Sequence, residues 1–254
     1  MRRTGLKASI AIAAIAMLTT GIDRASAATI FADFNTNEGT FASAPNGSGT
    51  TNFDGTSTAD RITTDSLEGP GSEKLDLLHT AAATNRVRFL SGLGTPANNT
   101  SFNVTAGTDG FIGYYYKVVG TLGNAVGTTM SINLDGSGGT TAEMDGGVPK
   151  PINADGNWHL VEWNLDLGTD WGAVTGIGGG GHNPLVNGTH TIDSIYFQNN
   201  SAAQGAHFEI LIDFVAKSDS GSIADLVPVP EPASLVFVAI GVMGLCGHAR
   251  RRDS

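Results

Sequence analysis

Acidic residues occur in this sequence at spacings that can be compared with the needs of glycoside hydrolysis. Glu162 and Asp166 have the same parity, and so do Glu209 and Asp213. Each pair would share one face of a strand, but four residues of strand span ~13 Å at ~3.3 Å per residue. The two catalytic carboxyl groups of a glycosidase stand ~5–9.5 Å apart. Neither pair can form such a dyad alone, and only a cross-strand pair stays open.

Other catalytic and metal-binding patterns are missing from the sequence. It has no Gly-x-Ser-x-Gly elbow, no HExxH and no EF-hand loop. The six histidines are scattered without ligand spacing. The single cysteine, Cys246, excludes a disulfide framework, a CxxC redox pair and a Cys-ligated zinc site. We therefore expect a protein that is not an enzyme and that requires no cofactor.

Sugar binding is better supported, by three residues around two predicted strands. Tyr115 and Lys117 alternate with the apolar residues of one strand, and Trp158 stands at a turn before the next. Exposed aromatic rings stack on the apolar faces of sugars while polar neighbours bind the hydroxyl groups. The alternative is that Trp158 caps one end of the core and that Tyr115 packs under a loop.

The charge of the chain limits its partners further. Residues 28–249 contain seven of the 14 basic residues and 22 of the 24 acidic residues, which is a formal net charge near −15. Such a surface repels phosphate, so nucleic acid is not an expected partner. It suits solubility outside the cell and loose attraction of divalent cations.

The apolar residues that must position these groups recur with period two in short segments between Gly, Asn, Asp, Ser and Thr, a pattern typical of β-strands. Thirty-five glycines in 254 residues, about twice the usual ~7%, favour turns over long helices. Segments 195–197 and 208–216 are nearly continuously apolar, as expected for central strands. Together these patterns predict an all-β fold, an antiparallel two-sheet β-sandwich or jelly roll. The alternating segments are residues 74–77, 86–89, 112–118, 130–134 and 160–165.

The N-terminus has the three parts of a signal peptide, which is predicted to be a helix. Basic residues precede an apolar stretch over residues 8–18, and Ala25 and Ala27 form a small-x-small cleavage site before Ala28. A membrane helix retained in the mature protein, which needs ~20 apolar residues, is the alternative. The general and twin-arginine export routes both stay open.

The C-terminus combines a tripeptide, a short apolar segment and a basic cluster, in that order. This order resembles the PEP-CTERM sorting domain of exopolysaccharide-producing Gram-negative bacteria. The resemblance implies that an exosortase recognises the tripeptide and processes the chain there, and that the mature protein reaches the cell surface or extracellular matrix. An ordinary single-pass anchor is the alternative. The tripeptide is Pro230, Glu231 and Pro232, and the cluster is Arg250, Arg251 and Arg252.

The apolar segment between them predicts a short transmembrane helix. Residues 233–247 span ~22 Å as a helix, less than the ~30 Å hydrocarbon core. Arginines just beyond it can reach the headgroups and hold that end on the cytoplasmic side. The exported part is then expected outside the inner membrane.

The exported part itself is similar to jelly-roll domains of the galactose-binding-like and carbohydrate-binding-module type. The similarity is carried by the Trp-containing stretch 155–166, the Ile-Asp patterns at 192–195 and 210–214, and residues 32–34. It implies a binding fold and allows a structural Ca²⁺ between the first and last strands, held by Asp33 and Asp213. Calcium needs six to eight oxygen ligands, of which these two carboxylates would supply part.

Four segments follow: a signal peptide (1–27), a sandwich (28–219), a linker (220–228) and a sorting and anchor segment (229–254). We expect an exosortase-sorted surface or matrix protein with a carbohydrate-binding or adhesive module for exopolysaccharide, transiently anchored in the inner membrane. One alternative is a structural surface protein without a defined ligand. A glycan lyase or glycosidase is the third.

Overall fold

The computed structural model describes residues 28–41, 45, 49–92, 101–105, 110–136, 144–173 and 188–227. The two predicted terminal helices, with Ala25, Ala27, the Pro230 tripeptide and the Arg250 cluster, lie outside these residues. Within them the chain forms two sheets packed face to face, and helical structure is limited to short 3-10 turns. The predicted two-sheet β-sandwich is confirmed. No helix in the described part of the chain has the length and apolar character needed to cross a bilayer.

The first sheet contains six strands in the described residues, all paired antiparallel. β13 lies at its centre, with β6 and then β10 on one side and β3 and then β2 on the other. β1 pairs with the last part of β13, beyond the end of β3. The strands are β1 (Ala28–Ala32), β2 (Thr58–Ile62), β3 (Ser72–Leu78), β6 (Phe111–Val119), β10 (His159–Asn164) and β13 (His207–Ser218).

The second sheet contains seven antiparallel strands in the described residues. β12 lies between β7 and β4, and β8 and β11 continue the sheet beyond β7. β5 pairs with the first part of β12, on the same side of β12 as β4. β9 pairs with the first part of β7, on the same side of β7 as β8. The strands are β4 (Asn85–Leu90), β5 (Ser101–Val104), β7 (Thr128–Gly136), β8 (Met144–Gly147), β9 (Lys150–Pro151), β11 (Trp171–Ala173) and β12 (Gly188–Asn199).

The core between the sheets is built from the apolar residues of the period-two pattern. Ile112, Tyr114 and Val118 of β6 are buried, as are Val161 and Trp163 of β10. The rings of Tyr114 and Trp163 lie 6.1 Å apart, and the Trp163 indole N–H donates to the Val148 carbonyl at 2.9 Å. Burial of such side chains is the main stabilising contribution in a fold of this kind.

One acidic residue shares this core-facing parity. Glu73 alternates with Lys74 and lies on the side of Leu75 and Leu77, with no solvent-exposed area. Both of its carboxyl oxygens are buried without a hydrogen-bond partner among the described residues. A carboxylate buried in this way is costly in its ionised form, so burial favours the neutral acid.

Candidate functional site

The residues predicted for sugar binding lie on the outer face of the first sheet. The register pairs Tyr116 with His159 and Tyr115 with Leu160, so Trp158, one residue earlier, is placed beside Lys117. Tyr115 and Trp158 are each half-buried. The Lys117 ammonium is paired with the Asp65 carboxylate at 2.7 Å, and the buried Trp158 indole N–H has no acceptor among the described residues.

A segment from the predicted linker lies close to this outer face. One carboxyl oxygen of Glu162 accepts hydrogen bonds from the Ser222 hydroxyl and the Ile223 amide, both at 2.9 Å. A 3-10 turn over Ile223–Leu226 follows, and Ile223 is fully buried. Burial raises the pKa of Tyr115, and the charges of Glu162 and Asp225 add to this effect. We call residues 222–226 the C-terminal strap.

The two carboxylates predicted to bind calcium have other partners. One oxygen of Asp213 accepts from the Leu67 amide at 2.9 Å and the other from the Phe214 amide at 2.8 Å. Burial raises the pKa of Asp213 to about 7, against the opposing effect of these hydrogen bonds. Asp33 accepts from the Asn35 amide at 3.1 Å.

These N–H donors would compete with a cation for both carboxyl oxygens of Asp213 and for one of Asp33. In the described ranges, no group of three or more His, Cys, Asp or Glu side chains is placed to hold a metal ion. The calcium site stays a prediction from the sequence.

The outer face of the second sheet carries polar side chains on three adjacent strands, and we call it the polar face. Phe197 lies opposite Met130 and Val87 in the register, and all three are buried in the core. The residues between them alternate to the other side of the sheet. The polar face comprises Arg86 and Arg88 of β4, Thr129, Ser131 and Asn133 of β7, and Ser194, Tyr196 and Gln198 of β12.

A β-bulge organises one half of the polar face. The register of β12 on β7 shifts between Ile192 and Ser194, so Asp193 is the extra residue, and a bulge of this kind redirects side chains. Arg88 donates to both carboxyl oxygens of Asp193, through its Nε at 2.9 Å and through a terminal amino group. Ser194 donates to Asp193 at 2.6 Å and accepts from the Asn133 amide at 3.0 Å. The result is a buried, fixed chain of polar groups.

Gln198 organises the other half of the polar face. Its side-chain oxygen accepts from Arg86 Nε and from the Tyr196 hydroxyl, both at 3.1 Å, and its amide donates to Asn200 at 2.9 Å. Burial raises the pKa of Tyr196, and the positive charge of Arg86 acts in the opposite direction. The Arg86 guanidinium lies close to the Tyr196 phenol, because both donate to the same oxygen of Gln198.

A cavity of about 110 Å³ opens on the polar face between β7, β8, β11 and β12. Hydroxyl and amide side chains form one wall, and glycines at the edge of the sheet form the other. Gly147 must lack a side chain, since a Cβ there would come within 2.6 Å of Trp163 Nε1. The volume is small beside the ~300–1,000 Å³ of pockets that enclose whole ligands, so it suits one unit of a longer chain. The lining residues are Thr129, Ser131, Asn133, Gly146, Gly147, Val148, Pro149, Gly172, Ala173, Tyr196 and Gln198.

Sequence reasoning missed the polar face. Residues 195–197 are apolar or aromatic in a row, which indicates a strand buried on both sides. Residues 192–197 are indeed all buried, but polar side chains are among them. The face could have been detected from the polar residues at alternate positions in two strands. These are Ser194, Tyr196 and Gln198 in one strand and Arg86 and Arg88 in the other. Only the register shows that these two rows lie side by side.

Comparison with known proteins identifies the C-terminal segment. Residues 228–252 match the family described as the PEP-CTERM protein-sorting motif, which confirms the resemblance found in the sequence. The match covers this segment alone, and it marks the chain as an exported, membrane-sorted protein. Among curated proteins, no sequence relative of the chain was found.

Solved structures similar to this chain include carbohydrate-binding modules. The family 11 module of a cellulosomal cellulase from Clostridium thermocellum is 13% identical, with a TM-score of 0.41, and the match covers 78% of this chain and 98% of the module. The xylan-binding module of a Paenibacillus barcinonensis protein is 12% identical, with a TM-score of 0.31, covering 78% and 99%.

A glycan-cleaving enzyme is also similar. The β-1,2-glucanase of Parabacteroides distasonis is 12% identical, with a TM-score of 0.38, and the match covers 65% of this chain but only 22% of the enzyme. With TM-scores below 0.5, none of these likenesses establishes a shared fold or a shared ligand.

Proposed function

We propose that this protein is an exported surface protein whose β-sandwich binds polysaccharide without cleaving it, through the polar face of the second sheet. The observation that carries the proposal is the row of hydroxyl and amide side chains that line the cavity, where hydrogen bonds from Arg86 and Tyr196 hold Gln198 in place. Binding sites for sugars need polar groups held in place to accept and donate hydrogen bonds to hydroxyls. Groups fixed before the ligand arrives lose little entropy on binding.

The outer face of the first sheet supports the proposal less. Lys117 already pairs with Asp65, and the C-terminal strap is bonded to Glu162 on the same face. The predicted alternative site consists of Tyr115, Lys117 and Trp158. The variant Tyr115→Ala tests it separately.

The sorting motif supports the cellular part of the proposal. The protein would be exported with a cleaved signal peptide, anchored briefly in the inner membrane by its C-terminal helix, and processed by an exosortase. It would then stand at the cell surface or in the matrix, where exopolysaccharide is the nearest partner. A jelly-roll topology for the sandwich belongs to the same proposal.

The test is affinity electrophoresis of the full-length chain, purified in mild detergent, through gels that contain individual soluble polysaccharides. Gln198→Ala removes the acceptor shared by Arg86 and Tyr196, and is expected to weaken retardation at least ~10-fold, as loss of a charge-assisted hydrogen bond would. Tyr115→Ala is the matched variant on the first sheet and is expected to bind as the wild type. Near-UV circular dichroism checks that both variants keep their packing.

Each result assigns the protein to one class. Binding lost with Tyr115→Ala and kept with Gln198→Ala would move the site to the first sheet. Calcium-dependent self-association without polysaccharide binding would favour a structural surface protein. Release of reducing ends or of unsaturated products would show an enzyme.

A further inference from the structure

The basic residues of the sandwich are nearly all neutralised by acidic partners or bonded to backbone carbonyls. Residues 28–227 contain seven Lys and Arg residues, and the structure describes them all. Four form ion pairs with carboxylates: Lys74 with Glu209, Arg88 with Asp193, Lys117 with Asp65 and Lys217 with Asp219. In a chain with so many carboxylates, pairing of this extent is the ordinary outcome.

Two more basic residues have structural roles. The Arg61 guanidinium donates to the carbonyls of Phe34 and Asn35. The Lys150 ammonium donates to the Glu162 carbonyl at 2.5 Å and lies 5.3 Å from the centre of the Trp163 ring. Both cations hold loops and strands of the fold together.

Arg86 differs from the other six. Among the described residues no carboxylate pairs with it, and its one side-chain hydrogen bond goes to the neutral amide oxygen of Gln198. That bond uses Nε, one of five N–H donors of a guanidinium. The terminal amino groups, which bind carboxylates in a bidentate fork, form no bond in the described part of the chain.

The backbone of Arg86 lies between two neighbouring segments, and the Nε hydrogen bond to Gln198 positions its guanidinium. Arg86 pairs with Gln198 of β12 on one side. On the other side it exchanges two hydrogen bonds with Thr51, at 2.9 and 3.0 Å. Gln198 and Tyr196 both line the cavity, so the unpaired guanidinium stands at the edge of the candidate site.

We propose that Arg86 binds the carboxylate of an acidic sugar in the bound polysaccharide. This inference rests on the proposed function and names the ligand class of the same site. A guanidinium and a carboxylate form two parallel charge-assisted hydrogen bonds. Gln198 holds the guanidinium through Nε, and the hydroxyl and amide groups of the cavity bind the neighbouring neutral unit.

The charge of the whole sandwich narrows the ligand class further. A formal net charge near −15 over residues 28–249 repels a dense polyanion over the ~8–10 Å that physiological salt leaves unscreened. One arginine can bind one carboxylate at a time. The ligand is therefore a glycan in which acidic sugars are spaced by neutral ones, rather than an uninterrupted polyuronate.

The test uses the gellan repeat tetrasaccharide, which carries one glucuronate among three neutral sugars, and its carboxyl methyl ester, which has the same shape without the charge. Titration calorimetry of the full-length chain compares both forms with oligogalacturonate of equal length. The acid is expected to bind ~10–100-fold tighter than the ester, as one charge-assisted pair would give. Oligogalacturonate is expected to bind more weakly than the tetrasaccharide.

Three variants test whether the preference for the acid over the ester depends on Arg86. Arg86→Gln should abolish the preference for the acid over the ester, while Arg86→Lys, which keeps the charge without the fork, should keep part of the preference. Lys74→Gln, on the first sheet, removes one positive charge elsewhere and should change nothing. An unchanged thermal transition of each variant excludes loss of the fold.

The outcomes separate this inference from the proposed function. If acid and ester bind equally, if Arg86→Gln keeps the preference, or if only neutral polysaccharides bind, the role of Arg86 is refuted and polysaccharide binding stands. If oligogalacturonate binds more tightly than the tetrasaccharide, the proposal that the acidic sugars of the ligand are separated by neutral ones is refuted. If no polysaccharide binds at all, both proposals fail.

Discussion

The substitution Glu73→Gln is expected to stabilise the protein at neutral pH. Glu73 faces the core beside Leu75 and Leu77, with both carboxyl oxygens buried and unbonded in the described residues. Burial, as the largest cause, and the charges of Glu38 and Asp60 together raise its pKa to about 9, against the opposing charge of Arg61. The folded protein therefore holds Glu73 as the neutral acid at pH values where the unfolded chain has ionised it.

The sign and size of the effect follow from this difference. Between pH 4.5, the ordinary pKa of this carboxyl, and about 9, the folded state binds one proton more than the unfolded state. The free energy of unfolding then falls by ~1.4 kcal/mol per pH unit. The contribution is complete below pH 4.5 and is lost as the pH rises towards 9. Glutamine stays neutral throughout, so its advantage should be ~0 near pH 4.5 and ~3 kcal/mol at pH 7.

Urea unfolding of the two proteins at pH 5, 6, 7 and 8 measures this difference directly. The gap between Glu73→Gln and the wild type should widen by ~1.4 kcal/mol per unit. Glu209→Gln is the matched control, because it makes the same substitution in the same sheet at a carboxylate that is only partly buried and pairs with Lys74 at 2.5 Å. A constant gap, or a wild type that is the more stable protein at pH 7, would refute the reasoning and show that Glu73 is ionised and compensated in the folded state.

Three further predictions concern other parts of the chain. Asp193→Asn should destabilise the fold by ~3–5 kcal/mol, because it removes the carboxylate that pairs with the buried Arg88 cation; a loss under ~1 kcal/mol in urea unfolding would contradict this. Deleting residues 230–254 should release the protein from the membrane, and Glu231→Ala should leave an unprocessed, membrane-held form; pulse-chase immunoblots that show maturation at the wild-type rate would count against exosortase processing. If Asp33 and Asp213 do hold calcium, millimolar Ca²⁺ should raise the melting temperature of the wild type but not of Asp33→Asn, and equal shifts would exclude that site.

Long alternating segments made the sandwich predictable, and short edge strands did not. β6 and β7 keep one parity over nine residues, so their core-facing side chains can be named from the sequence. β13 changes parity at a register shift between Asp213 and Ala216, so its core-facing residues cannot be named in this way. β8, β9 and β11 have two to four residues and contain glycine or proline, which leaves too little alternation to detect. They exist because a neighbouring strand supplies hydrogen bonds.

The candidate site could not be predicted from the sequence for a different reason. Arg88 and Asp193 are 105 positions apart, and only the register of β4 on β12 brings them together. The extra residue at Asp193 also changes the parity of β12. A strict period-two pattern therefore assigns the residues on one side of this bulge to the wrong face. The sequence shows that Glu73 has the same parity as Leu75 and so faces the same side of its strand. How deeply it is buried depends on the packing of the two sheets, which the sequence alone does not give.

The C-terminal strap determines which side of the molecule a tether would leave exposed. It is bonded to Glu162 on the outer face of the first sheet, and the sorting motif begins at residue 228, directly after the last described residue. The polar face belongs to the second sheet, on the opposite side of the sandwich. In a molecule held by its C-terminus, the polar face would therefore lie on the side of the sandwich away from the attachment.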